Sequence, residues 1–168
     1  IIPDPDWKQE IFEDDWRVGD TYFTSIGQYG FQITPLQALR ATAAIATGNL
    51  LEPTLEMNNK PVKEDINFIN DKYQEIVKDG MREAVLRGTA KGLNRSNLTI
   101  AAKTGTAELG AIKSNVNSWV IGYFPYEDPK YIFTVMMEKG PRDNYLGGVF
   151  IMSQFIDWML LNKGEYFR

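Results

Sequence analysis

Apolar and polar positions along this chain predict helices in its first half and strands in most of its second. Thr34 offers a capping hydroxyl, Pro35 suits a first helical position, and LQALRATAAIAT follows before Gly48 and Asn49 end the run. The alanine-rich face of this helix can lie close against a neighbour. A second helix is predicted over DKYQEIVKDGMREAVL, capped by Asn70 or Asp71. Tyr73, Ile76, Val77, Met81, Val85 and Leu86 recur at helical spacing there and predict one buried face. Beyond Gly92 the pattern changes to LTIAAKTGTAEL, NSWVIGYFPY and YIFTVMMEKG, three strands bounded by Gly, Pro, Asn or Asp. Glu127 to Lys130 is a short turn that makes the last two an antiparallel hairpin, and a helix over 148–162 returns across the sheet. Residues 1–25, rich in Pro, Asp and aromatics, read as loop or short turns, and Pro53 and Pro61 bracket a loop or short strand. The expected fold is α+β, an antiparallel sheet flanked by helices, with 1–168 forming one domain or part of one.

Composition narrows the chemistry mostly by what it leaves out. With no His and no Cys, the chain cannot supply a Ser-His-Asp triad, a thiol nucleophile, a Cys/His zinc site or a disulfide. Any nucleophile must be Ser, Thr or Lys. A net charge of −4 with scattered Lys and Arg argues against nucleic acid as a partner. The apolar run 149–161 is broken by Ser153, Gln154 and Asp157 and is too short to cross a bilayer. There is no glycine-rich nucleotide motif, so no cofactor is expected. The adjacent carboxylates Glu13, Asp14 and Asp15 read as solvated, not as a metal site.

One stretch departs from ordinary strand composition. In TIAAKTGTAE a lysine sits among Ala, Thr and Gly where branched and aromatic residues would normally pack. Strict alternation puts Lys103 and Gly105 on one face and Thr104 and Thr106 on the other. All four can serve one pocket only along the edge of the strand. An edge strand beside a cleft is therefore predicted, its backbone open to an extended peptide, with hydroxyls and a cation suited to a carboxylate.

Other segments, in fixed order, carry a resemblance: IPDPDWK at 2–8, W-x-x-G-D at Trp16 to Asp20, SIGQ at Ser25 to Gln28, ITPLQAL at Ile33 to Leu39, AAIATGNL at Ala43 to Leu50, AAKTGTAE at Ala101 to Glu108, and SWVIGYFP at Ser118 to Pro125. With these the chain resembles the C-terminal part of the transpeptidase domain of class B penicillin-binding proteins, most of all the penicillin-binding protein 2 group of cell elongation. The resemblance implies a serine acyl-transfer enzyme that crosslinks peptidoglycan stem peptides and is acylated by β-lactams. By it, Lys103 supplies positive potential and proton traffic, Thr104 and Thr106 bind the ligand carboxylate, and Gly105 keeps the approach clear. The Thr106 N–H would complete an oxyanion hole.

It further implies the glycosyltransferase and scaffold of the elongation machinery as partners, and a periplasmic location anchored to the inner membrane by an N-terminal helix outside these residues. Neither Ser-x-x-Lys nor Ser-x-Asn, the family's other signatures, occurs in the sequence. The expectation is that both lie upstream and that the chain alone is inactive. Two local departures are Gly27-Gln28-Tyr29-Gly30 in place of Gly-Gln-Gly-Tyr, and Asn117 where a His often precedes Ser-Trp; neither is assigned a catalytic role. Trp119, Tyr123 and Phe124 read as sheet core. The alternatives are a non-catalytic ligand- or partner-binding module and, because Glu52-Pro53-Thr54-Leu55-Glu56 imitates a deacylating element, a β-lactamase.

Overall fold

Local capping builds the first long helix, α3 (Pro35–Thr47): the Thr34 hydroxyl accepts from the Gln37 N–H at 3.2 Å, and Gly48 closes the helix in the left-handed region at φ 72°. The structure, a computed structural model, describes residues 1–56, 62–65, 70–110, 113–143 and 146–167. Ahead of α3 lie two helices, α1 (Pro5–Phe12) and α2 (Val18–Ser25). After it come a short antiparallel pair, β1 (Asn49–Leu51) and β2 (Lys63–Asp65), and then α4 (Asp71–Leu86). A three-stranded antiparallel sheet follows, β3 (Ala101–Leu109), β4 (Asn115–Phe124) and β5 (Tyr131–Pro141), and the chain then forms α5 (Gly148–Asn162). Pro61 lies outside the described residues.

The sheet order is β3-β4-β5, with β3 at an edge among the described residues. Pleating divides the core in two. On one face Ala102, Val120, Phe124 and Phe133 pack against Met152 and Ile156 of α5; on the other, Ala101 and Tyr123 meet Ala46 of α3 and Met81 of α4. The result is an antiparallel sheet flanked by helices. Ala38, Ala43, Ala44 and Ala46 are all buried, so the small side chains of α3 do bring its backbone close to its neighbours. Fully buried residues such as Leu93, Ile100 and Ile156 contribute roughly 1.5–3 kcal/mol each by removal from water.

Two expectations need correction. Residues 1–25 are largely helical. Asp4 caps α1, accepting from the Trp7 N–H at 2.7 Å, and Pro5 occupies the first turn. The group these two helices bury is an ion: Lys8, only 3% exposed, bonds Asp20 at 2.8 Å and Asp14 at 3.1 Å. Asp14 also pairs with Arg17 at 2.8 Å, which spends its carboxylate on cations. The apolar stripe of α4 is also only partly buried. Met81 and Val85 are enclosed, whereas Tyr73, Ile76, Val77 and Leu86 are exposed. The helix meets the sheet near its C-terminal end, where the Arg82 guanidinium donates to the Ile100 carbonyl at 2.9 Å.

The ion cluster has a pH signature. Hydrogen bonds from Lys8 hold the carboxyls of Asp14 and Asp20 below the usual range, and Asp20 raises Lys8 above its ordinary value. The carboxylate contribution to stability is present above the unfolded Asp value of about 3.9 and is lost as pH falls through the lowered folded values. The lysine contribution is present below its unfolded value and is lost as pH rises through the raised one. Lys8→Met is expected to be less stable than the parent at pH 7, with the gap closing as pH falls below about 4, where a protonated Asp20 no longer needs a cation. Urea melts at pH 7 and pH 3 read this directly; a gap that stays constant would reject the pairing as its cause.

Candidate active site

The amide groups of β3 point alternately toward β4 and toward open space. The Thr99 carbonyl accepts from the Tyr126 N–H at 3.0 Å, so odd-numbered carbonyls face β4. Even-numbered ones face outward, and side chains meet three of them: Arg82 at Ile100, Lys103 Nζ at Thr104, and Gln28 Nε2 at Thr106, at 3.0 Å. The Thr104 and Thr106 amides therefore form the accessible rim, and those of Lys103 and Gly105 lie opposite Ile121 and Trp119.

Cavities flank this rim on both faces of the strand. One, of about 430 Å³, is lined by all four residues Lys103, Thr104, Gly105 and Thr106, with Trp119 and Gln28 among its walls. Lys103 and Glu138 are the charged residues lining it, and Glu138 leans toward Lys139 at 3.4 Å. The other, of about 510 Å³, lies toward α5 and is lined by hydroxyls of Thr89, Thr104, Ser118 and Ser153 beside Phe150. Both sizes suit a small organic ligand or a few peptide residues.

The structure thus brings the four sequence-predicted residues together at one cavity, on a strand that is an edge among the described residues. Lys103 and Thr106 are exposed, and Thr104 is half-buried with its hydroxyl 2.6 Å from that of Thr89. A Cβ built on Gly105 would stand 3.5 Å from the Trp119 Cβ, an ordinary contact, so the fold itself does not demand glycine there. At the far end of β3, Glu108 is held by Lys113 at 2.7 Å and Arg142 at 3.2 Å, and the Lys113 bond keeps its carboxyl below the usual range. That ion pairing leaves the strand's outer end neutralised and Lys103 as the cation over the cavity.

Three site residues were missed from the sequence. Trp119 is half-buried and lines both cavities, whereas Tyr123 and Phe124 are buried in the core as expected. Thr89 lies in a loop and gave no signal. Gln28 reaches β3 across 78 residues; the sequence placed it in the SIGQ segment between Gly27 and Gly30, both at φ 75°, but gave it no role. Asn117 lines the Lys103 cavity, and its side-chain carbonyl accepts from the Lys139 N–H at 2.9 Å beside a register shift between Val116 and Ser118. Glu52 is ion-paired to Arg40 and lines neither cavity.

Comparison with known proteins places the chain in a family. The chain is 30% identical to the peptidoglycan D,D-transpeptidase MrdA of Haemophilus influenzae, over 82% of its own length and 25% of that protein's. In the complex of PBP2 with MreC from Helicobacter pylori, the matching chain is 36% identical and superposes with a TM-score of 0.82, covering 97% of this chain and 31% of the other. Pseudomonas aeruginosa PBP2, in complex with WCK 5153, is 25% identical with a TM-score of 0.73, covering 98% and 39%. The chain thus spans about a quarter of the curated relative. The penicillin-binding protein transpeptidase domain matches residues 3–149, which include the edge strand and both its cavities' β3 and β4 walls. An antiparallel sheet with its Lys-Thr-Gly-Thr run laid along a free edge, matched over nearly the whole chain, makes this protein a member of the penicillin-binding protein transpeptidase family.

Proposed function

We propose that this chain forms the sheet half of the active site of a peptidoglycan D,D-transpeptidase, one that crosslinks stem peptides by serine acyl transfer and is acylated by β-lactams. The carrying observation is the rim of β3, where a cation, two hydroxyl-bearing residues and outward amides share one cavity. A stem peptide lies along that rim as an added strand, its carboxylate near Lys103 and the Thr104 and Thr106 hydroxyls. The Thr106 N–H faces the carbonyl under attack, a placement worth about 10²–10³ in rate for donors of this kind.

The nucleophilic serine and its lysine belong to a part of the protein upstream of these residues, in keeping with the fraction of each relative that the chain covers. The Helicobacter pylori relative assembles with MreC, and we extend that relationship to this protein: a scaffold and a glycosyltransferase of the elongation machinery are its partners. None of the described helices is long and apolar enough to cross a membrane, so a periplasmic enzyme held at the inner membrane would be anchored by other residues.

Intact mass spectrometry of the whole protein, before and after incubation with a penicillin, tests the reading. The serine Oγ adds to the lactam carbonyl, the ring C–N bond breaks, and the nitrogen takes up the proton. Nothing is expelled, so the expected gain is the mass of the entire penicillin. An unmodified mass at saturating penicillin would overturn the assignment and favour a non-catalytic binding module.

A further inference from the structure

The contact between Gln28 and β3 suggests more than bracing. An edge strand left open invites pairing with any extended chain, and side chains that cap its outward groups suppress this. Along β3, Arg82 and Lys103 cap two outward carbonyls from positions on or beside the strand, while the cap on Thr106 comes from the loop after α2. That loop is stiff. Tyr29 stands at φ 60°, and its ring lies edge-on to Trp7 at 5.9 Å and to Trp16 at 6.1 Å. A side chain on Gly30 would collide with Trp7 at 2.5 Å. These contacts brace the backbone beside Gln28, and its half-buried side chain reaches from there to the Thr106 carbonyl.

Gln28 presents a carboxamide N–H to Thr106 in the way a paired peptide would. We propose that Gln28 is a specificity-determining residue: it occupies the Thr106 carbonyl in the unliganded site and yields it to the backbone N–H of an incoming ligand. This rests on the transpeptidase reading above. Ligands that present an N–H at this register exchange one hydrogen bond for another, whereas ligands without one leave Gln28 in place. The residue therefore taxes peptide-like ligands and leaves others untouched.

The experiment compares acylation rates of the whole protein and its Gln28→Ala variant. One probe is a penicillin carrying an acylamino N–H beside the lactam carbonyl; the other is a carbapenem, which has no N–H there. Removing the cap should raise the penicillin rate about fivefold, the worth of one exposed hydrogen bond, and leave the carbapenem rate within about twofold. Gln28→Glu, which keeps the size but loses the donor, should shift the ratio of the two rates in the same direction. Rates that fall together, or rise together, would show Gln28 bracing the strand and would overturn this inference alone. If neither probe acylates the unmodified protein, the transpeptidase reading falls and the inference falls with it.

Discussion

Lys103→Ala is expected to slow acylation of the whole protein by a penicillin about a thousandfold while leaving its thermal melt within about 0.5 kcal/mol of the parent. The two halves of this expectation have separate causes. Lys103 is exposed, and its ammonium bonds the carbonyl of Thr104, the next residue, so the fold rests little on it. The same ammonium is the cation lining the cavity that Thr104, Gly105 and Thr106 share. A positive charge at that rim attracts a carboxylate-bearing ligand and eases proton movement at the serine, contributions typically worth 10²–10⁴. Acylation kinetics with a fluorescent penicillin, run beside calorimetry, separate the alternatives. An unchanged rate would take Lys103 out of the chemistry. A melt that falls in step with the rate would instead make its role structural.

The readiness with which the sequence yields this rim reflects how local its signals are. Thr34, Pro35 and Gly48 bound α3 by capping alone, and a hairpin turn at 127–130 needs no distant partner. The composition of TIAAKTGTAE reveals an edge because a strand packed on both sides cannot afford so many small and polar residues. Leu98 to Ile100 were read into the same strand, yet β3 begins at Ala101; their apolar side chains are mostly buried without a β4 ladder. Helices α1 and α2 were missed because eight residues give barely two turns, too short for periodicity to be counted, and because the side chain they enclose is the Lys8 ammonium. Gln28 was missed for a different reason: its partner is a backbone oxygen 78 residues away, and nothing local records such a contact.

The second large effect concerns two glycines in neighbouring strands that look interchangeable in sequence. Gly122→Ala is expected to destabilise the protein by about 3 kcal/mol, near the upper range for overpacking a core. Its Cβ would stand 2.3 Å from the Ala101 carbonyl oxygen and 2.5 Å from the Phe133 ring. Turning the ring aside does not suffice, because Ala101 is fully buried and its oxygen belongs to the β3–β4 ladder, so relief requires the two strands to separate. That separation would move the rim two residues further on, where Lys103 lies. Gly105→Ala should behave in the opposite way. Its Cβ meets only Trp119, at 3.5 Å, and loss of glycine's unfolded-state freedom is worth about 0.4–1 kcal/mol in favour of the fold. Stability should hold or rise slightly, while acylation slows about tenfold or more because the new methyl crowds the ligand's approach. Denaturant melts and acylation rates for both variants form a paired test. If Gly105→Ala destabilised as much as Gly122→Ala, both glycines would serve the packing of the sheet. If it left acylation untouched, the rim of β3 would not be where the ligand lies.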